Sequence, residues 1–282
     1  MDLRAAVRSF RGSVTAMLGV GITAAVLIAA LLGPLAMPYS VEEMDFTSIL
    51  QAPSLAHPFG TDSFGRDVLA RVLTGSRISL MVSVTAIGAA LALGAIAGMT
   101  AAYAGGWADA ALMRLADLLF AFPSFVLALF LVIVLGFGIG NLIGAIALVY
   151  FPIFARLARN TTLLVREEPY VQAARLMGQP PLAIMLKEIL PNISAPLMVQ
   201  ATIGIAFGII IEAGLSFIGL GVQPPTPSLG TIMADGRDYF SRGPWVLTLT
   251  GLWISVALLG LNLCGDALRD ALDPRLRQRV QA

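Results

Sequence analysis

Charge is scarce in this sequence: only 12% of its 282 residues are Asp, Glu, Lys or Arg, and 57% are hydrophobic, with a mean hydropathy of +0.85. An ordinary soluble domain carries roughly 25% charged residues. That excludes an ordinary soluble domain. There is one cysteine, Cys264, so neither an internal disulfide nor a cysteine-ligated metal cluster can form within the chain. It reads as a small apolar side chain packed between helices. There is one histidine, His57, in an outer loop beside Asp62 and Asp67. A zinc site would need both carboxylates to converge on it, and packing within the loop is the simpler expectation. No G-x-x-x-x-G-K-[ST] phosphate loop occurs, and no nucleophile, base and orienting group can be assembled. The chain is expected to be no enzyme, to hold no metal or cofactor, and to bind no ATP itself. With a net charge of +1 and no basic stripe, nucleic acid is not an expected partner.

The few charges fall in clusters, and between them lie uncharged stretches at 12–41, 78–108, 118–155, 189–211 and 243–265. A bilayer-spanning helix needs about 20 apolar residues, so four of these stretches hold one helix each. The 118–155 stretch would be about 57 Å long as a single helix, against a hydrocarbon core of about 30 Å. It must fold back, and 136–141 (Gly-Phe-Gly-Ile-Gly-Asn) is the natural turn. The expectation is an all-α integral membrane protein with six transmembrane helices. Lys and Arg counts orient it: 13 of the 18 lie in the two tails and in the second and fourth loops. Both termini should therefore be cytoplasmic. The apolar part of the first span, 14–36, is longer than the 7–15 residues of a signal-peptide core, so it reads as an uncleaved anchor. The expected layout is a cytoplasmic tail 1–13, the first span 14–36, an extracytoplasmic loop 37–78, a five-helix core 79–265 and a cytoplasmic tail 266–282. Within the core lie a cytoplasmic loop 158–192 and an extracytoplasmic loop 219–243.

Inside the spans, glycine and alanine recur, as at Gly88, Gly94 and Gly98. Such residues let membrane helices approach closely. Glu212 is the one acid in a span. It is either a gate or path residue, or a side chain near the outer surface that finds water or a backbone donor. Asp109, Arg114 and Asp117 read as solvated charges at a helix boundary.

The polar segment 167–192 interrupts the oily spans. Pro169 can begin a short helix in which Val171, Ala174, Leu176 and Met177 are apolar and Gln172, Arg175 and Gln179 polar. Gly178 and the two prolines after it end that helix, and a second helical piece, 182–190, runs up to Pro191. Its small side chains suit docking against another protein better than lying in lipid headgroups.

The pattern Gln172-Ala173-Ala174, then Gly178, then Glu188-Ile189-Leu190-Pro191 resembles the EAA motif of permease subunits of bacterial ABC importers. The segments 57–80, 212–240 and 261–277 resemble the dipeptide, oligopeptide and nickel group of that family, specifically its second, C-type permease. The resemblance implies a type I permease core like that of methionine importers, in the bacterial inner membrane. Its coupling loop would use Tyr170, Gln172, Ala173, Ala174, Gly178, Ile189, Leu190 and Pro191. It further implies a homologous second permease, two ATPase subunits carrying ATP and Mg, and an extracytoplasmic binding protein touching Gln223 and Asp235 near Pro224, Pro225 and Pro227. Driving such a transporter between two states takes about 5.5 kcal/mol of differential interaction. Two residues depart from the motif: Gln172 replaces its glutamate, and Glu188 stands where a histidine is often found. Docking should then rest on shape more than charge. Dipeptides, oligopeptides, nickel complexes and opines all fit such a permease, and a stand-alone ion-coupled secondary transporter is the alternative of another class.

Overall fold

The computed structural model describes residues 13–272, and every regular element within them is helical. Arg4, Arg8, Arg11, Arg275, Arg277 and Arg279, used above for orientation, lie outside the described residues, as do most of the two tails. The helices are α1 (Val14–Ala36), α2 (Val68–Ala104), α3 (Gly106–Phe120), α4 (Ser124–Leu135) and α5 (Ile139–Val165). After them come α6 (Pro169–Leu176), α7 (Pro181–Ile184), a π-helical turn (Met185–Ile189), α8 (Leu190–Phe217), α9 (Leu229–Asp238) and α10 (Pro244–Leu272). Five stretches are long and apolar enough to cross a bilayer: α1, α2, α5, the continuous run Pro181–Phe217, and Pro244–Ala271. The bent pair α3–α4 makes a sixth when counted as one broken span.

The reversal within 118–155 falls at Gly136 and Gly138, both at positive φ, and the Asn141 side-chain amide donates to the Leu135 and Gly136 carbonyls across it. The preceding span is not the single helix that hydropathy suggested. α4 has only 12 residues and meets α3 at 94°. Pro123 sits at the elbow, and a proline steers the residue before it away from helical backbone. Asp109 and Asp117 on α3 are not simply solvated either. Asp109 takes a two-pronged bond from Arg159 of α5 (2.5 and 2.6 Å), and Asp117 pairs with Arg156.

α2 begins at Val68, well before the uncharged stretch starts, because Arg71 and Arg77 lie inside it. It packs along α5 through two glycines. A methyl added to Gly94 would sit 2.6 Å from the Phe154 Cβ, and one on Gly98 would overlap the Ala155 carbonyl oxygen. Gly88 faces open space instead and takes no part in that contact. The other face of α2 meets α8, where Gly204 and Gly208 lie against Ile87 and Ser83. Around this trio sits the main core, with Phe154, Ile87, Ile146, Ile193 and Leu215 fully buried. α1 packs on α10 through Gly19, which backs onto Leu263 and Cys264. Its opposite face leaves Leu31, Leu32 and Leu35 exposed, as an apolar solvent permits.

Candidate functional site

α5 ends at Arg166, whose guanidinium turns back to donate to the Ala102 carbonyl at the end of α2 (2.6 Å). Pro169 then opens α6 at its first position, where its missing N–H costs nothing. Val171 and Ala174 point inward and are buried, so α6 is tied down along one side. Gln172, in place of the motif's acid, donates from Nε2 to the Arg166 carbonyl (3.0 Å). An amide can make that bond and a carboxylate cannot. Arg175 lays its guanidinium 4.7 Å over the ring of Tyr103, the penultimate residue of α2, and its Nε is buried without a hydrogen-bond partner. The aromatic face stabilises the guanidinium above it.

The end of α6 is a Schellman turn. The Gly178 N–H bonds the Arg175 carbonyl (2.9 Å), the Gln179 N–H bonds the Ala174 carbonyl (3.2 Å), and Gly178 has φ +76°. A glycine is placed there because L residues resist that backbone region. The chain then restarts at Pro181 and does not stop at Pro191. The Leu190 N–H reaches back to the Met185 carbonyl, one residue further than in an α-helix. Pro191 lacks an N–H and crowds the carbonyl four residues earlier. The wider π turn accommodates it, so α7, the π turn and α8 form one run from Pro181 to Phe217. The 181–190 piece is thereby continuous with the α8 span.

The sequence pattern grouped Val171, Ala174, Leu176 and Met177 on one apolar face, and the structure divides them. Leu176 is 89% and Met177 72% exposed, and Leu182 and Leu186 stand out beside them. All four are exposed and apolar, and the sequence pattern names only Leu176 and Met177 among them. Of the motif residues, Ala174 and Ile189 are buried, Gln172 and Leu190 half-buried, and Tyr170, Ala173, Gly178 and Pro191 exposed. Partial desolvation, with the carboxylates of Glu168 and Glu188 nearby, raises the Tyr170 phenol above its usual value, so it remains a neutral hydroxyl at working pH.

The remaining candidates lie at the far end of the spans. Glu212 reaches neither water nor a backbone donor. It is wholly buried, and its Oε1 accepts from the Ser216 hydroxyl (2.7 Å). Gln223 is exposed and its amide closes the local turn by bonding the Gly219 and Gly221 carbonyls. Asp235, on α9, is half-exposed and engaged with Arg71 (3.1 Å) and Arg66 (3.4 Å). Both arginines also hold Asp62, which is buried in the loop before α2. His57 bonds through Nδ1 to Asp67 (2.8 Å), the N-cap of α2, while Asp62 turns to the arginines, so the two carboxylates do not converge on the imidazole. This outer charge cluster joins residues more than 160 positions apart in sequence. No spacing rule would have found it.

The family described as the inner-membrane component of binding-protein-dependent transport systems matches residues 90–278, and the N-terminal transmembrane domain of oligopeptide transport permease C matches residues 3–53. Among similar proteins, a dipeptide transport system permease of Alkalihalophilus pseudofirmus is 39% identical, over 97% of this chain and 90% of its own. A di/tripeptide transport system permease of Pseudomonas aeruginosa is 40% identical, over 96% and 91%. A glutathione transport system permease of Escherichia coli is also 40% identical, over 96% and 89%.

Proposed function

Because the chain belongs to the family of inner-membrane components of binding-protein-dependent transport systems, we propose that it is the C-type permease of a peptide-importing ABC system and forms half of its pore. The relatives named above carry dipeptides, tripeptides and glutathione, all short peptides, which supports that substrate class over nickel or opines. On this reading the chain works beside a homologous second permease, two ATPase subunits that bind ATP and Mg, and an extracytoplasmic binding protein. On this reading both termini face the cytoplasm of a bacterial cell, which the distribution of Lys and Arg supports.

The observation that carries the reading is the knob at 169–190. It presents Leu176, Met177, Leu182 and Leu186 outward while Val171, Ala174 and Ile189 anchor it to the spans. Exposed apolar side chains on a short helix suit a groove on a partner protein. Arg166 on Ala102 and Arg175 on Tyr103 pass any force on the knob to α2. At the opposite end, the loop carrying Gln223 and the half-exposed Asp235 is the surface assigned to the binding protein.

Reconstitution tests this. The complete assembly in proteoliposomes should take up di- or tripeptide only with ATP, the ATPase subunits and the binding protein present. Uptake by this chain alone down an ion gradient would refute the reading. The ligand that copurifies with the binding protein fixes the substrate, and a bound nickel complex or opine would overturn the peptide assignment.

A further inference from the structure

α8 and α2 pass each other in register along one seam. Gly204 lies on Ile87 and Gly208 on Ser83, and one turn further Glu212 comes beside Ser79. One turn beyond, Gly75 backs onto Ser228, the N-cap of α9, its would-be methyl 3.0 Å from the Ser228 carbonyl carbon. A methyl on Gly230 would overlap the Ala213 carbonyl oxygen of α8. The first turn of α9 is therefore wedged between α2 and α8, directly over the Glu212 carboxyl.

Three serines surround that carboxyl, and each accepts a backbone N–H from α9 or the turn before it. Ser79 Oγ accepts from Leu229 (3.3 Å), Ser216 Oγ from Val222 (3.1 Å) and Ser228 Oγ from Thr231 (3.3 Å). A hydroxyl that accepts in this way keeps its own proton to donate. Ser216 gives its proton to Oε1, while Oε2 is buried without a partner of its own, with the Ser79 and Ser228 hydroxyls facing the group. Among the described residues no arginine, lysine or histidine pairs with Glu212. What stands opposite the carboxyl is the N-terminus of α9, whose first-turn N–H groups carry partial positive charge and are bonded to two of those hydroxyls.

We propose that Glu212 is a positioning residue of the transport cycle. Through Ser79, Ser216 and Ser228 it clamps the start of α9 to α2 and α8, so that this outer helix moves with the spans as one body. The proposal rests on the permease reading for its role in transport, but the clamp itself can be measured without substrate.

The test is hydrogen exchange on the assembled complex in lipid nanodiscs, paired with uptake and ATP hydrolysis in proteoliposomes. In Glu212→Ala, exchange at Val222, Leu229 and Thr231 should rise tenfold or more while the α2–α5 seam at 94–102 stays protected. Uptake should fall tenfold or more with hydrolysis continuing. Glu212→Gln keeps the length and one acceptor oxygen, and should restore most of the protection and the uptake. Should Glu212→Ala fail to assemble, Ser79→Ala and Ser228→Ala carry the test, each loosening the same amides by a smaller factor. In the double variant Glu212→Ala/Ser79→Ala the rise should not exceed that of Glu212→Ala alone. Unchanged exchange in α9, or a rise spread evenly over the chain, would overturn the clamp. Loosened α9 with normal uptake would overturn its role in transport. Failure of the wild-type assembly to import peptide would instead count against the permease reading and leave the exchange result standing.

Discussion

Gly178 separates two effects that are usually confounded, backbone strain and steric exclusion of a partner. Its φ of +76° is the left-handed region, and an added Cβ would meet nothing within 4 Å in this chain. Within the permease the penalty of a side chain is thus conformational alone, about 1–2 kcal/mol for an ordinary L residue. Asparagine tolerates this region and should escape most of that cost. If strain were all that mattered, impairment would rank Asn least, then Ala, then the β-branched Val. A partner surface closed over Gly178 adds a term that grows with volume and falls most heavily on Trp. A strain of 1–2 kcal/mol shifts the ratio of correctly set to misset knob by a factor of about 5–30. We therefore expect peptide uptake to be retained within a few-fold in Gly178→Asn, reduced about fivefold or more in Gly178→Ala, and abolished in Gly178→Trp. All three should assemble in the membrane, since the site is open on this chain. Uptake in proteoliposomes, set against ATP hydrolysis by the same vesicles, reads the result. Gly178→Asn behaving worse than Gly178→Ala would refute the backbone argument, and normal uptake in Gly178→Trp would sink the docking assignment.

Other seams make equally direct demands. Gly98→Ala forces a methyl into the Ala155 carbonyl and should cost about 1–3 kcal/mol, seen as a lower melting temperature in detergent, whereas Gly88→Ala opens no clash and should leave it unchanged or raise it. Asp62→Ala strands the buried Arg71 with only the half-exposed Asp235, and should cost about 3–5 kcal/mol by denaturant unfolding. Asp235→Asn should cost under about 1 kcal/mol in the same assay, its charge being half in solvent. Arg175→Lys loses the planar stack on Tyr103, worth about 0.5–2 kcal/mol, and should lower uptake more than ATP hydrolysis. Tyr103→Leu should do the same, and the double variant no more than either alone. Additive losses would show that the two residues act separately.

The spans were legible because hydropathy survives any packing arrangement, and the reversal at 136–138 was legible because glycine announces it. Features set by tertiary pairing were not. Charge set the start of the second uncharged stretch at 78, yet α2 runs from Val68 and holds Arg71, to which Asp62 and Asp235 are brought from elsewhere. The broken third span hid for a related reason: α4 is as oily as an intact span, and only the proline at 123 hinted at an elbow. In the 169–190 segment, the resemblance named residues without saying which are anchored inward and which face out. An eight-residue helix is too short for apolar spacing to say which of Val171, Ala174, Leu176 and Met177 faces inward. Glu212 stood out by its charge alone. Ser79, which comes to it from another helix, has nothing in its local sequence to mark it as a partner.

The knob and the outer helix α9 both attach to α2. It runs unbroken for 37 residues, about 55 Å. One end carries Tyr103 under Arg175 of the knob, and the other carries Ser79 and Gly75 beneath α9, with Arg71 bound to Asp235. A helix of that length turned by about 10° around its middle carries Tyr103 through about 4 Å and Ser79 and Gly75 through about 2–3 Å. The knob can therefore move the outer helix without any wire of side chains between them, provided both attachments hold. Loss of the Arg175 stack and loss of the Glu212 clamp should then give the same phenotype, ATP hydrolysis without uptake, from opposite faces of the membrane. Combined in one chain, the two losses should cost less uptake than the product of the single losses, because both weaken one line of transmission whose remaining attachments are Arg166 on Ala102 and Arg71 on Asp235.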